Sequence, residues 1–343
     1  MRQAVVATGP HRLLSWMIWA AVALLPVAAQ AQAVESDPLV EAREARYWLS
    51  RIHEAASQRS FLGTFVVSAG GSMASARIAH YSDGPNQFER IEPLDGRRRQ
   101  VLRHNDLVTS LWPQQRLAVI ETRQSMSQFP ALLSAEAGRI VERYRVRPLG
   151  EDRVAGHEAH VLLLSPRDGY RFGYRLWAEK SSGLLLRAEV LDEREAVLES
   201  SAFSDLIIGV KPRPDLVLKA MKGLEGWRVE RPALEPTDLQ AEGWGVRDLP
   251  PGFQPVSTVR RSMAPAQVSS SAVVLQSIYS DGLTHVSIFI EPFVPALHKR
   301  EASSAMGATQ TMTRRQGDWW LTVIGDVPVV TLRGFALGLE RRR

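Results

Sequence analysis

Between Glu158 and Leu206 the sequence alternates apolar and polar side chains with a period of two, the spacing by which an extended chain separates its faces. Residues 161–165, 170–179, 184–191 and 197–205 read as four strands joined by tight turns, an antiparallel meander. In 170–179, Tyr170, Phe172, Tyr174, Leu176 and Ala178 share one face, while Arg171, Gly173, Arg175, Trp177 and Glu179 share the other. The first face is apolar and the second is expected to be mostly wet. A long antiparallel sheet with one apolar face has to curl over something, and helices at the N-terminus and near Phe129 are the candidates.

The strand signal extends back to Phe61, through 61–69, 74–82, 87–93, 100–104, 107–112 and 116–121. Asp83-Gly84, Asp95-Gly96 and Asp168-Gly169 stand where chain reversals are expected, since both residue types tolerate positive φ. Ahead of these strands, Asp37 and Pro38 form a helix start. Leu39, Val40, Ala45, Trp48, Leu49, Ile52, Ala55 and Ala56 then fall mostly on one face, with Arg43, Glu44, Arg46, Arg51 and Glu54 opposite. The mixed charges favour a helix packed on a sheet, ending near Ser57, over one lying on a membrane. A second short helix is expected around 127–133.

Residues 210–237 change in composition: Lys211-Pro212-Arg213-Pro214, Arg231-Pro232 and Glu235-Pro236 bracket a helix-prone piece at 215–222. Proline at this density marks a linker, so the sequence divides into a larger domain at 32–209 and a smaller one at 238–343. In the smaller domain 256–261, 272–280 and 284–291 read as strands, with a hairpin turn at Tyr279-Ser280-Asp281-Gly282. Residues 308–314 and 319–324 follow, and the closing 329–339 is compatible with a helix despite its β-branched start. The expected fold class is α+β, mainly antiparallel β.

The first residues stand apart from this pattern. Arg2, His11 and Arg12 precede an apolar run at 13–29 and two overlapping Ala-Gln-Ala triplets, the order of a cleavable secretory signal at 1–31. No Cys follows the run, so lipid attachment there is excluded. Cleavage removes Arg2 and Arg12 from a net charge of +5 and leaves a mildly basic exported chain, which argues against nucleic acid as a partner. The absence of Cys also excludes disulfides, thiolate catalysis and iron–sulfur clusters, so apolar cores must hold the chain together in an oxidising compartment.

No catalytic constellation emerges, and the chain is read as a binding protein without cofactor. His157 and His160 in His157-Glu158-Ala159-His160 are three apart beside a strand and point to opposite faces, so no metal site is expected. Gly243-Trp244-Gly245 lacks the setting of a dinucleotide fingerprint. Two features suit binding. Phe65, Val67, Tyr81, Val101, Leu111, Tyr174 and Leu176 line either a filled core or a cavity for acyl chains. Arg98 and Arg99 (with Arg97 and Arg103), Arg171 with Arg175, and Arg260 with Arg261 form either solvated faces or forked donors for phosphate or carboxylate groups.

Several runs resemble the RseB/MucB family of periplasmic regulators of the envelope-stress sigma factor. They are Asp95-Gly96-Arg97-Arg98-Arg99-Gln100-Val101-Leu102-Arg103 and Arg167-Asp168-Gly169-Tyr170-Arg171-Phe172-Gly173-Tyr174-Arg175-Leu176-Trp177. In the smaller domain the matching runs are Leu249-Pro250-Pro251-Gly252-Phe253, Arg260-Arg261, Ile278-Tyr279-Ser280-Asp281-Gly282-Leu283 and Val323-Ile324-Gly325-Asp326-Val327-Pro328. Arg97 departs from the family, which more often has Pro there, and 329–339 is more apolar than its usual closing helix.

The resemblance implies a LolA-like open β half-barrel with helices, followed by a smaller α+β C-terminal domain. It implies a periplasmic negative regulator of sigma-E-type signalling that binds the periplasmic region of a membrane-spanning anti-sigma factor and shields it from proteolysis. Lipopolysaccharide or another acyl lipid is expected to release the shield. On this reading Arg260 and Arg261 are candidates for partner contact, and Arg98 and Arg99 for headgroup phosphates. A lipid or lipoprotein carrier of the LolA type is the alternative, and a hydrolase the third reading; self-association stays open.

Overall fold

The computed structural model describes residues 38–122, 129–133, 137–263 and 272–342; the signal read at 1–31 lies outside them. Helix α1 (Pro38–Gln58) leads into β1 (Phe61–Ala69), β2 (Ser72–Asp83), β3 (Asn86–Pro93), β4 (Gln100–His104), β5 (Leu107–Trp112) and β6 (Leu117–Thr122). Helix α2 (Ala137–Arg143) is followed by β7 (Tyr144–Val154), β8 (His157–Pro166), β9 (Gly173–Glu179), β10 (Leu185–Leu191) and β11 (Val197–Ile208). Helix α3 (Pro214–Lys222) and β12 (Arg228–Glu230) complete this part.

All twelve strands join one open sheet, in the order β12-β6-β5-β4-β3-β2-β1-β11-β10-β9-β8-β7. Two meanders meet at the β1–β11 pair, and only β12 runs parallel to its neighbour, β6. Register partners lie on one face of a sheet, so the pairing sorts the side chains. Leu164 and Val190 flank Tyr174, and Leu162 and Ala188 flank Leu176. All of them pack beneath Trp48, Leu49 and Ile52 of α1, beside Ile140 and Tyr144. On the opposite face Tyr81 pairs with Phe88, and Leu111 with Ala118. These four form a separate core with Leu102 and with Val217 of α3.

The second sheet contains β13 (Leu234–Pro236), β15 (Gln254–Met263), β16 (Ala272–Ser280), β17 (His285–Pro292), β18 (Ala302–Met306), β19 (Thr309–Gln316) and β20 (Trp319–Gly325). Its order is β13-β15-β16-β17-β20-β19-β18. Helix α4 (Val329–Gly338) covers one face, and β14 (Trp244–Val246) pairs with the final strand β21 (Leu339–Arg341). Leu275, Tyr279, Val286, Ile288, Ile290, Leu321 and Val323 pack against Leu332, Phe335 and Ala336 of α4. The molecule is therefore α+β and mainly antiparallel.

Four local expectations are corrected. The helix read at 127–133 is absent from its described part, where 129–133 forms a turn and a bridge. Pro130 lacks an amide hydrogen and biases Phe129 away from helical geometry, so the helix starts later, at Ala137. Strand β7 had no counterpart in the sequence reading, because its exposed middle, Arg147 to Arg153, hides the period. The strand read from Tyr170 begins only at Gly173, since the residues before it serve the junction described below. The face expected to be wet is not: Trp177 and Glu189 are buried there, and the guanidinium groups of Arg175 and Arg187 lie over the Trp177 ring at 6.0 and 4.6 Å.

Candidate functional site

The two sheets meet at the turn that precedes β9. Asp168 accepts the amide hydrogen of Tyr170 and directs its other oxygen, Oδ2, to Arg171 Nη1 at 2.7 Å. Arg171 in turn donates from Nε to Asp281 Oδ2 at 2.6 Å, across to the β16–β17 turn of the second sheet. Both side chains of that pair are 0% exposed. A charge buried this deeply is tolerated only with partners all round it. Arg171 has them: Nη2 donates to the carbonyl of Pro251, and the guanidinium lies 5.0 Å over the Phe253 ring. Asp281 uses its second oxygen to accept the amides of Leu283 and Thr284.

Other contacts converge on this place. Leu283 leaves its own sheet and inserts into the core beneath α1. Thr331 of α4 donates to the carbonyl of Tyr170 at 2.7 Å. Gly252 takes φ +85°, a conformation that strains any side chain, and a Cβ there would stand 2.6 Å from Arg143 Nε and 2.7 Å from Arg171 Nη2 and have to displace both guanidinium groups. Burial pushes the Tyr144 hydroxyl well up from its ordinary value, and the Asp281 charge adds to that. Burial also raises Glu199, helped by the Asp326 carboxylate.

Beside the junction lies a cleft of about 610 Å³. Leu163, Leu191 and Leu198 line it from the first sheet, and Val329 and Val330 line it from the start of α4. Asp168, Asp192, Glu193 and Glu195 supply acidic groups. Such a surface suits an extended segment carrying apolar and basic side chains.

The candidate residues are distributed as follows. Phe65, Val67, Val101, Tyr174 and Leu176 share the α1-covered face of the first sheet. Tyr174 and Leu176 are buried under α1, so this end of the face is packed core, while Phe65, Val67 and Val101 stay partly exposed. Tyr81 and Leu111 do not join them: the register puts both on the opposite face, under α3. Arg171 is corrected from an accessible donor to the buried tie between the sheets. Arg175 donates to Glu189 Oε2 at 2.9 Å. Arg98 is exposed, and Arg99 donates to Ser110 Oγ at 3.2 Å. Arg260 is exposed and lies 2.8 Å from Glu242, whereas Arg261 reaches Glu121 of the first sheet at 3.5 Å.

Sequence reasoning assigned Asp281 only to its turn and missed the pairing with Arg171. The one available signal was an Arg in a strand pattern where an uncompensated buried charge is forbidden. His157 Nε2 lies 3.1 Å from the Leu206 carbonyl, and the His160 ring sits tilted against Trp48 with centroids 4.6 Å apart, each in a structural contact. Among the described residues no group of three His, Asp or Glu side chains could hold a metal ion.

Comparison with known proteins bears on this arrangement. Residues 44–221 match the MucB/RseB N-terminal domain and residues 238–340 the MucB/RseB C-terminal domain. The chain is 32% identical over 309 residues to the sigma factor AlgU regulatory protein MucB of Pseudomonas aeruginosa, covering 88% of this chain and 93% of that protein. It is 24% identical over 299 residues to the sigma-E factor regulatory protein RseB of Haemophilus influenzae, covering 85% and 90%. The crystal structure of MucB in complex with MucA(peri) superposes with a TM-score of 0.65 at 30% identity, over 87% of this chain and 99% of that one. The MucA/MucB complex of Pseudomonas aeruginosa gives 0.67 at 30% identity, over 88% and 99%. With both of its sheets matched in order and a relative aligned over nearly its whole length, this chain belongs to the MucB/RseB family.

Proposed function

We propose that this chain is a periplasmic negative regulator of sigma-E-type envelope-stress signalling that binds the periplasmic segment of an anti-sigma factor and shields it from proteolysis. The observation that carries this reading is the shared fold and 30% identity with MucB in complex with MucA(peri). Export rests on the basic start, apolar run and Ala-Gln-Ala triplets of the first thirty-odd residues. The acid-rimmed apolar cleft at the junction is the surface offered to the segment, and Arg260, exposed on the second sheet, would have to exchange its ion pair with Glu242 to contact it. The chain acts by occupancy and not by chemistry. An acyl lipid such as lipopolysaccharide opposes the partner by favouring the partner-free arrangement, since a ligand that binds both arrangements equally shifts nothing.

The mature chain and a fluorescently labelled anti-sigma periplasmic segment test this by anisotropy. Saturable binding is expected in lipid-free buffer, together with slower cleavage of the segment by an envelope protease. Added lipopolysaccharide should weaken both effects. A segment that stays unbound without lipid overturns the regulatory reading.

A further inference from the structure

The two sheets end in four edge strands, and three of them are blunted. An edge with unpaired backbone groups invites further pairing, which proteins discourage with charge, proline, bulges or short strands. In the first sheet, β7 carries Pro148, a register shift before Gly150, and charges from Arg145 to Arg153. At the other edge β12 is only Arg228-Val229-Glu230. In the second sheet β13 is equally short and ends on Pro236. The remaining edge, β18, is Ala302-Ser303-Ser304-Ala305-Met306, uncharged, free of proline and exposed throughout. Its register with β19 is unbroken, and among the described residues no strand pairs with its outer side.

The turn at its end fixes which backbone groups look outward. Met306 and Thr309 close the β18–β19 hairpin across Gly307-Ala308, with Gly307 at φ +61°. Residues that flank a two-residue turn exchange backbone hydrogen bonds, and every second pair along the ladder does the same. Met306, Ser304 and Ala302 therefore face β19, and the Ala302 amide accordingly donates to Thr313 Oγ1 at 3.1 Å. Ser303 and Ala305 turn their N–H and C=O groups to the open side.

The same hairpin touches the first sheet. A Cβ on Gly307 would stand 2.8 Å from the Ala69 Cβ and 3.1 Å from the Leu198 carbonyl oxygen, so the turn packs against the end of β1 and the start of β11. With Arg171–Asp281 and Arg261–Glu121 it makes a third contact between the sheets. Leu198 is also a wall of the cleft, and Gln310 of β19 lines it from the second sheet. Gln310 pairs with Ala305 on one side and with Gly325 on the other; Gly325 in turn pairs with Val286 of the core under α4. Register partners share a face, so the cleft opens onto β18 at Ala305.

We propose that β18 pairs with an extended stretch of the anti-sigma segment where that segment leaves the cleft, adding an eighth strand to the second sheet. The inference rests on the partner-binding reading above and assigns it a contact. Main-chain hydrogen bonds to Ser303 and Ala305 hold the stretch, and the small Ala and Ser side chains of β18 leave room for β-branched or aromatic residues on it. The neutral edge asks no charge of this stretch, whereas the acid rim of the cleft favours basic side chains on the part before it. A backbone paired in this way is withdrawn from a protease, which gives the shielding a physical basis.

Hydrogen exchange by NMR, with and without the anti-sigma periplasmic segment, tests the pairing on the parent chain. The Ser303 and Ala305 amides should exchange fast in the free chain and become protected at saturating segment. Ser303→Pro deletes an outward N–H and leaves the ladder to β19 in place. It should weaken binding in the anisotropy titration about tenfold, while Ser303→Ala binds like the parent. Unprotected Ser303 and Ala305 amides at saturation overturn the proposal, as does a folded Ser303→Pro chain with parent affinity. Protection that appears without the segment and grows with chain concentration assigns β18 to a second copy of this chain and overturns it too. In each of these cases the segment still binds, so the regulatory reading stands; a parent chain that does not bind the segment overturns both.

Discussion

Arg171 keeps its charge where water does not reach, and its cost is offset by four groups at once: two carboxylates, a carbonyl and an aromatic face. Removing one member of such a set leaves the others buried and uncompensated. Arg171→Gln is expected to lower unfolding free energy by about 3–5 kcal/mol, and Asp281→Asn to do likewise. Urea titration checks both, and the paired change Arg171→Met with Asp281→Leu should cost less than either alone. A second expectation concerns two carboxyls shifted in opposite directions. Burial and then Asp326 raise Glu199, so its contribution is fully present below the ordinary carboxylate range and is lost as pH rises through its folded value. Glu199→Gln should therefore raise the melting temperature at pH 7.5, with the gain fading near pH 4. For Glu89, burial acts to raise the carboxyl, but the His80 hydrogen bond and the charges of His80 and Arg103 outweigh it and hold it low. Its contribution is present at neutral pH and lost as pH falls through the folded value, so Glu89→Gln should lower the melting temperature at pH 7.5. Melting curves at the two pH values check both signs.

Helix α1 was legible as an element because its apolar residues recur with the helical period, and Leu49 and Ile52 are indeed fully buried. Ile52→Ala is expected to cost about 2–5 kcal/mol in a urea titration, against less than about 0.5 for the exposed Arg43→Ala. The meander was legible for the same kind of reason, since alternation reports which residues of one strand share a face. Alternation does not report which face of the next strand they join. Tyr81 and Leu111 fit the apolar pattern as well as Val101 does, yet register sends them under α3. A segment composed like a linker supplies that cover: Pro214 opens α3, and Val217 enters the core. The same segment sends β12 to the first sheet and β13 to the second. Composition announced the prolines but not these pairings, because a strand of three residues shows no period.

At the scale of the whole chain, the runs that carry the family resemblance lie far apart in sequence and meet in space. Asp168, Arg171, Pro251, Phe253, Asp281 and Leu283 all contribute to one junction. Each sheet has its own core, and the junction couples them. Calorimetry of the parent chain should show one unfolding transition, which Arg171→Gln with Asp281→Asn should split into two; a single transition in that variant would mean that other contacts do the coupling. Local pattern alone determined the mainly antiparallel strands, the amphipathic first helix and the lack of thiol chemistry, since each depends on residue type and spacing along the chain. Only the tertiary structure decided that Arg171 is a tie and not a headgroup contact, that Tyr174 and Leu176 are core, and that Tyr81 and Leu111 lie across the sheet from them. Those outcomes depend on cross-strand register and on which distant charge arrives beside a buried one, and neither is written in the spacing of neighbours.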